Sequence, residues 1–165
     1  MTDRTKTLTR FVGLDAALVA LACMVPAASH VLALPLYMLN PMLALLLAGL
    51  LLGERMLAGG WRNALVLAVL MPLVSCFVVG MPTAGKMLCM MAELATVALL
   101  FGWLKSRWSV LPAVLVSVLA AKGVYYGLKA LVLAPAVLVG TAWWMQLAAV
   151  LLWCGVFAML YKRLK

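Results

Sequence analysis

The sequence is poor in charge. Only 10% of its 165 residues are charged and 68% are hydrophobic, whereas a typical soluble domain is about 25% charged and about 45–50% apolar. A small domain leaves much of its surface in water, so one aqueous core could not bury this much apolar surface. The composition therefore excludes a soluble enzyme, a disordered chain and a secreted disulfide scaffold. It predicts an integral membrane protein made of helices.

Residues and motifs that carry chemistry are also scarce. There are four cysteines, all in apolar runs and none with CxxC spacing, and one histidine, His30. His30 has Cys23 seven residues before it, but Pro26 intervenes and no carboxylate is near in sequence. The cysteines are interpreted as small buried apolar residues, and no metal site or cofactor is predicted.

One stretch, Gly80 to Lys86, matches the GxxxxGK pattern of a phosphate-binding loop. Such a loop needs Ser or Thr at the next position to bind magnesium, and it follows a strand. Here Met87 occupies that position and a predicted helix precedes the stretch. We therefore predict no nucleotide site, no catalytic residue and no enzymatic activity.

Apolar runs separated by Gly, Pro and polar residues predict six membrane-spanning helices in one domain over residues 1–165. Their predicted ranges are 11–34, 39–54, 62–79, 86–104, 108–133 and 136–161. The first run is long enough to span, so it is interpreted as a retained helix rather than a cleaved signal.

Basic residues predict the orientation of the bundle. If the N-terminus is cytoplasmic, the inner segments carry ten of the thirteen basic residues: Arg4, Lys6, Arg10, Arg55, Arg62, Lys105, Arg107, Lys162, Arg163 and Lys165. Because Lys and Arg collect in cytoplasmic loops, both termini are predicted to be cytoplasmic. The net charge of +9 is therefore attributed to topology, and no nucleic-acid partner is expected.

Few charges remain inside the predicted outer half of the bundle, namely Lys86, Glu93, Lys122 and Lys129. Lys86 and Glu93 share one face of the fourth helix; Lys122, Tyr126 and Lys129 share one face of the fifth. Four further residues lie at similar depth: His30, Asn40, Trp143 and Gln146. Charges in a bilayer are costly and usually face the bundle interior or a water-filled cavity. These residues predict an outward-opening polar pocket, and Lys86 with the amides of its helix N-terminus could hold an anionic group.

Structural roles remain open for the same residues. Lys129 could extend to the outer interface, and Lys86 could be a boundary residue. Glu93 and Lys122 could form a buried ion pair that fixes helix packing. His30 could be a packing or interface residue.

Small residues predict close helix contacts. Ala16 and Ala20 are four residues apart on the first helix, Ala113, Ser117 and Ala121 form a stripe on the fifth, and Gly123 and Gly127 form a GxxxG pair. Such residues let helix backbones approach closely.

Three features along nearly the whole chain resemble the substrate-binding S component of an energy-coupling-factor (ECF) transporter. Ala16 and Ala20 are similar to the AxxxA of that family's first helix. Asn40-Pro41 leading into the Leu-rich run 45–53 resembles the second helix. Met91-Ala92-Glu93-Leu94-Ala95, followed by Gly102, is similar to the M-x-E-L-A stretch of the fourth. The chain begins Met1-Thr2-Asp3 and lacks the N-terminal histidine of the nickel and cobalt members.

The resemblance implies a mechanism and partners. The chain would capture a water-soluble vitamin or related micronutrient outside a bacterial or archaeal cytoplasmic membrane. It would associate with a transmembrane coupling subunit and two ATPase subunits, topple in the lipid bilayer and release the substrate inside. Ala16 and Ala20 would be the docking surface. Glu93 and Lys122 would be central substrate contacts, Lys86 and Lys129 anion contacts, and Trp143 a stacking wall.

Other functions fit the same composition. A six-helix membrane scaffold of the cell-shape machinery would need no deep polar pocket. A small stand-alone secondary transporter usually has inverted repeats and broken helices, which the sequence does not display. An intramembrane enzyme is a further alternative.

Overall fold

The computed structural model describes residues 3–31, 40–56, 60–133 and 143–164, and everything in these ranges is helical or a short connection. There are six helices within them: α1 Asp3–Val31, α2 Pro41–Met56, α3 Gly60–Val79, α4 Ala84–Leu104, α5 Val110–Leu133 and α6 Trp143–Leu164. The all-helical prediction is confirmed for this part of the chain.

Four of the helices have the length and composition of membrane spans. Helices α3, α4, α5 and α6 each contain an apolar stretch of 20 to 23 residues, and about 20 residues are needed to cross a bilayer. The apolar parts of α1 and α2 are shorter, covering Val12–Val25 and Pro41–Glu54. The protein is therefore membrane-embedded, and the count of six spans stays a prediction.

Helix boundaries differ from the predicted ones mainly at the first helix. Helix α1 begins at Asp3 instead of residue 11, because the polar N-terminal residues continue the same helix. Asn40, with φ of 48°, directly precedes α2, and Pro41 takes the first helical position, where its missing N–H costs no hydrogen bond. The predicted end of the first helix at 32–34, the start of the second at 39 and the start of the sixth at 136–142 lie outside the described residues.

Each helix packs against its neighbours in sequence, and some helices also contact one that lies further along the chain. Helix α4 contacts α5 and α3, α3 contacts α2 and α1, and α6 contacts α5 and α2. The core between them consists mainly of Leu, Val and Ala side chains, with a few from Met, Phe and Cys. In it the rings of Phe101 and Phe157 meet edge to face, with centroids 5.3 Å apart. This packing brings the predicted pocket helices α4, α5 and α6 together.

Two polar contacts join the helices at the predicted inner end of the bundle, where α2 and α4 end and α3 begins. The Lys105 ammonium forms an ion pair with Oε2 of Glu54. Asn63 donates a hydrogen bond of 2.8 Å to Oδ1 of Asp15. Asp15 and Glu54 therefore link neighbouring segments at the end of the bundle opposite Lys86.

Gly60 is required where α2 and α3 meet. A Cβ atom there would lie 2.3 Å from the Glu54 nitrogen and 2.5 Å from the Gly53 carbonyl carbon. Both are backbone atoms, which cannot rotate away, so Gly60→Ala must push the two helices apart. Inserting a methyl group into a tightly packed contact typically costs about 1–3 kcal/mol. We expect a clearly lower melting temperature, measured by thermal unfolding in lipid nanodiscs.

Gly13 provides the matched control. It lies within α1, and a Cβ there would have no atom within 4 Å. Because alanine is the better helix former by roughly 0.5–1 kcal/mol, Gly13→Ala is expected to hold or raise the melting temperature. Equal melting temperatures for the two variants would contradict the close contact at Gly60.

Candidate functional site

An ion pair between α4 and α5 lies at the centre of the candidate site. The Nζ atom of Lys122 lies 2.6 Å from Oε1 of Glu93. Both residues are buried, at 7% and 6% exposure. Opposite charges in a low-dielectric interior attract strongly, but each has lost its hydration. The structure thus brings together the two residues predicted to be central, and they contact each other.

Tyrosine rings lie beside the lysines of α5. The Lys122 Nζ is 5.4 Å from the centroid of the Tyr125 ring, and the Lys129 Nζ is 5.9 Å from that centroid and 6.0 Å from that of Tyr126. These distances allow cation–π attraction. Lys129 is only 6% exposed, so other residues cover its side chain.

A cleft of about 220 Å³ opens between α5 and α6 next to the ion pair. The Tyr126 hydroxyl donates a hydrogen bond of 2.6 Å to Oε1 of Gln146 across it. Its lining residues are Leu119, Lys122, Gly123, Tyr126, Gln146, Leu147 and Val150. The lining of the cleft is therefore mainly apolar and includes one lysine, one tyrosine and one glutamine.

Lys86 and Asn40 lie at the same end of the bundle. Lys86 is exposed in the first turn of α4. Its positive charge and that of Lys129 repel each other. The Nδ2 group of Asn40 is buried and has no hydrogen-bond partner among the described residues. An orphaned buried donor is costly. Asn40 therefore offers a hydrogen bond at the start of α2.

Two predicted site residues cannot be placed in the pocket. His30 is in α1 and Trp143 begins α6, but their side chains lie outside the described part of the structure. The predicted docking residues Ala16 and Ala20 are both exposed on α1, away from the core residues Leu18 and Ala22.

Some site residues were missed by the sequence reasoning. Tyr125 lies three residues after Lys122 and four before Lys129, a spacing that could have revealed it. Gly123 was interpreted as a packing residue together with Gly127. No atom of the described structure lies within 4 Å of a Cβ at either position, and Gly123 lines the cleft instead. The stripe of Ala113, Ser117 and Ala121 is fully buried, as its small residues suggest.

The described residues give little support to a metal site or a phosphate-binding loop. They contain no group of three or more His, Cys, Asp or Glu residues that could hold a metal ion. The GxxxxGK stretch follows helix α3, and its Lys86 is in helix α4. Comparisons with models of protein families, with curated proteins and with solved structures found no match.

Proposed function

We propose that this chain is the substrate-binding S component of an ECF-type importer. It captures a water-soluble vitamin or related micronutrient outside a bacterial or archaeal cytoplasmic membrane. A coupling subunit and two ATPase subunits then supply the energy for uptake. In this proposal all six helices span the membrane and both termini are cytoplasmic.

The observation that carries the proposal is the concentration of polar side chains around one cleft in an otherwise apolar chain. Lys122, Tyr126 and Gln146 line the cleft between α5 and α6, and Glu93 on α4 forms an ion pair with Lys122. Intramembrane charges are expensive and generally mark a functional site. A mainly apolar cleft with a few polar residues in its lining, here Lys122, Tyr126 and Gln146, is the kind of site that can orient a polar solute while its apolar walls exclude water.

Partner docking is proposed for the exposed face of α1. Ala16 and Ala20 expose small side chains there, and small residues let the helix of another subunit approach the backbone closely. The occupant proposed for this face is a helix of the coupling subunit, on the basis of the resemblance at these two residues.

A second candidate is a six-helix membrane scaffold without a ligand. The 2.6 Å contact between Glu93 and Lys122 favours it, since such a pair alone could fix α4 against α5. A scaffold has no need of the Tyr126–Gln146 cleft. Thermal stabilisation by a small solute would therefore distinguish the two candidates, because binding to the folded state raises stability by mass action.

Co-purification tests the proposed function. The affinity-tagged chain is extracted in mild detergent from the membranes of its own host. We expect a coupling membrane subunit and two ATPase subunits to co-purify with it. Mass spectrometry of the purified complex and its ATPase activity provide the readout. Purification of the chain alone, or with cell-shape proteins in place of ATPases, would overturn the proposal. The matched negative control is the Ala16→Trp variant, which is expected to lose these subunits.

A further inference from the structure

The predicted inner end of the bundle carries far more positive than negative charge. Ten basic residues are predicted to belong to it, together with only three acids, Asp3, Asp15 and Glu54. Glu54 already pairs with Lys105, and Asp15 accepts a hydrogen bond from Asn63. Because three carboxylates cannot balance ten cations, this end keeps a large excess of positive charge.

Exposed cations from three segments gather around the end of α4. Trp61 of α3 lies beside the last turn of α4, since a Cβ atom at Gly102 would be 2.8 Å from its Cγ atom. On α6 the Phe157 ring contacts the rings of Phe101 and Tyr161. The start of α3 and the end of α6 therefore lie at the same end of the bundle as the α4–α5 connection. The exposed basic residues of these segments are Arg62, Arg107, Lys162 and Arg163.

The connection between α4 and α5 is too short to leave the membrane surface. It consists of residues 105–109 and joins two helices that each have the length of a membrane span. An extended chain advances at most about 3.6 Å per residue, and this one turns back at once. The backbone N–H groups of Arg107 and Trp108 both bond to the Leu104 carbonyl, at 2.9 and 2.8 Å. Arg107 is therefore held at the depth of the lipid headgroups.

Two tryptophans flank Arg107 at this depth. Trp103 and Trp108 are 54% and 48% exposed, and indole rings are enriched at the boundary between membrane and water. The guanidinium carbon of Arg107 lies 4.6 Å from the centroid of the Trp103 ring, within the range of cation–π attraction. A ring contact uses none of the five N–H donors of the guanidinium, which can bind phosphate oxygens in pairs.

We infer that Trp103, Arg107 and Trp108 form a binding site for an anionic phospholipid, here called the interface patch. The lipid phosphate lies at the Arg107 guanidinium, and its acyl chains lie against the exposed indole rings. The surrounding excess of positive charge favours a headgroup with net negative charge over a zwitterionic one. A soluble polyanion would satisfy the charge but would leave the indole rings uncovered.

Short-chain phosphatidylglycerol and phosphatidylcholine with the same acyl chains form a matched pair of probes that differ in headgroup charge. The purified chain in a non-ionic detergent is titrated with each lipid, and its melting temperature is measured. We expect phosphatidylglycerol to raise it by several degrees, because binding to the folded state raises stability by mass action. Phosphatidylcholine and glycerol phosphate, which lacks acyl chains, are expected to have little effect.

Three results of this titration would overturn the inference. Equal shifts with the two lipids would show that headgroup charge is not recognised. An equal shift with glycerol phosphate would show that any phosphate binds and that the acyl chains contribute nothing. Stabilisation by a polyglutamate peptide but not by phosphatidylglycerol would assign the charged end to an acidic protein partner.

Variants locate the lipid on the chain. Arg107→Gln is expected to weaken the affinity for phosphatidylglycerol about fivefold, which corresponds to about 1 kcal/mol. Arg107 is exposed, so the melting temperature of this variant without lipid should stay close to that of the wild type. Lys86→Gln removes the same charge from an exposed position at the opposite end of α4 and is expected to leave the affinity unchanged. Equal losses in the two variants would mean that the lipid responds only to net charge, and would overturn the interface patch.

These measurements need neither a transported solute nor a partner subunit. Loss of the lipid effect would therefore leave solute capture untouched, and failure of co-purification with ATPase subunits would leave the interface patch untouched.

Discussion

The Glu93→Gln variant is expected to unfold at a much lower temperature than the wild-type protein. The Lys122 ammonium lies 2.6 Å from Oε1 of Glu93 and is 7% exposed, so loss of the carboxylate leaves a buried charge unbalanced. Breaking a buried pair by removing one partner typically costs about 3–5 kcal/mol. For a protein of this size that corresponds to roughly 6–20 °C in melting temperature. Thermal unfolding in nanodiscs measures the shift.

The double variant Glu93→Gln/Lys122→Met tests whether the loss comes from the stranded charge. It removes both ions, and replacing a buried pair by groups of similar volume is often nearly neutral. We therefore expect much of the lost stability to return. A double-mutant cycle gives the coupling between the two side chains. Additive losses would contradict a direct ion pair.

Glu54→Gln is the matched control at the other end of the bundle. Glu54 pairs with Lys105, whose side chain is 24% exposed, so water can solvate the lysine left behind. The expected loss is smaller than for Glu93→Gln. The same variants also test the proposed pocket: if Glu93→Gln and Lys122→Ala leave the affinity for an identified solute unchanged, the pocket is wrongly placed.

Uptake is expected to fall at least tenfold in the Ala16→Trp and Ala20→Trp variants, while binding of the solute is retained. Both alanines are exposed on α1, so an indole ring can extend away from the bundle without displacing its core. It would prevent the close approach of another helix that small residues permit. Uptake of radiolabelled solute into cells, compared with solute binding to the purified variants, measures the two properties separately.

The Ala148→Trp variant provides the matched control for this prediction. Ala148 is also an exposed alanine in a helix, but it lies on α6. It is expected to retain full uptake. A tenfold loss in Ala148→Trp would show that uptake is sensitive to any large surface residue. Full uptake in Ala16→Trp and Ala20→Trp would refute docking at α1.

Much of the secondary structure could be predicted because it depends on local properties. Long apolar runs define helices α3 to α6, and Gly, Pro and polar residues mark their ends, with Thr83 and Gly80 between α3 and α4. The predicted starts of these helices were within two residues of the observed ones for α3, α4 and α5. The start of α1 at Asp3 was missed, because hydropathy marks where a helix enters an apolar region and not where its hydrogen bonding begins.

The site could be predicted only in part. Charge scarcity singled out Glu93, Lys122 and Lys129, because each is costly in an apolar segment. The hydrogen bond between Tyr126 and Gln146 and the contact of Asp15 with Asn63 join residues 20 and 48 positions apart. The spacing of residues along a helix cannot predict contacts between residues so far apart in sequence.

The sequence by itself determined that this is a helical membrane protein with a few charges set apart from an apolar background. Composition and the length of apolar runs are sufficient for that conclusion. Only the tertiary structure decided that Lys122 bonds to Glu93, that Tyr126 bonds to Gln146 and that Gly123 lines a cleft. In a membrane both the buried and the lipid-facing sides of a helix are apolar, so hydrophobic periodicity does not specify how each helix is rotated. Helix packing alone sets that rotation, and the rotation places the polar side chains of α4, α5 and α6 together.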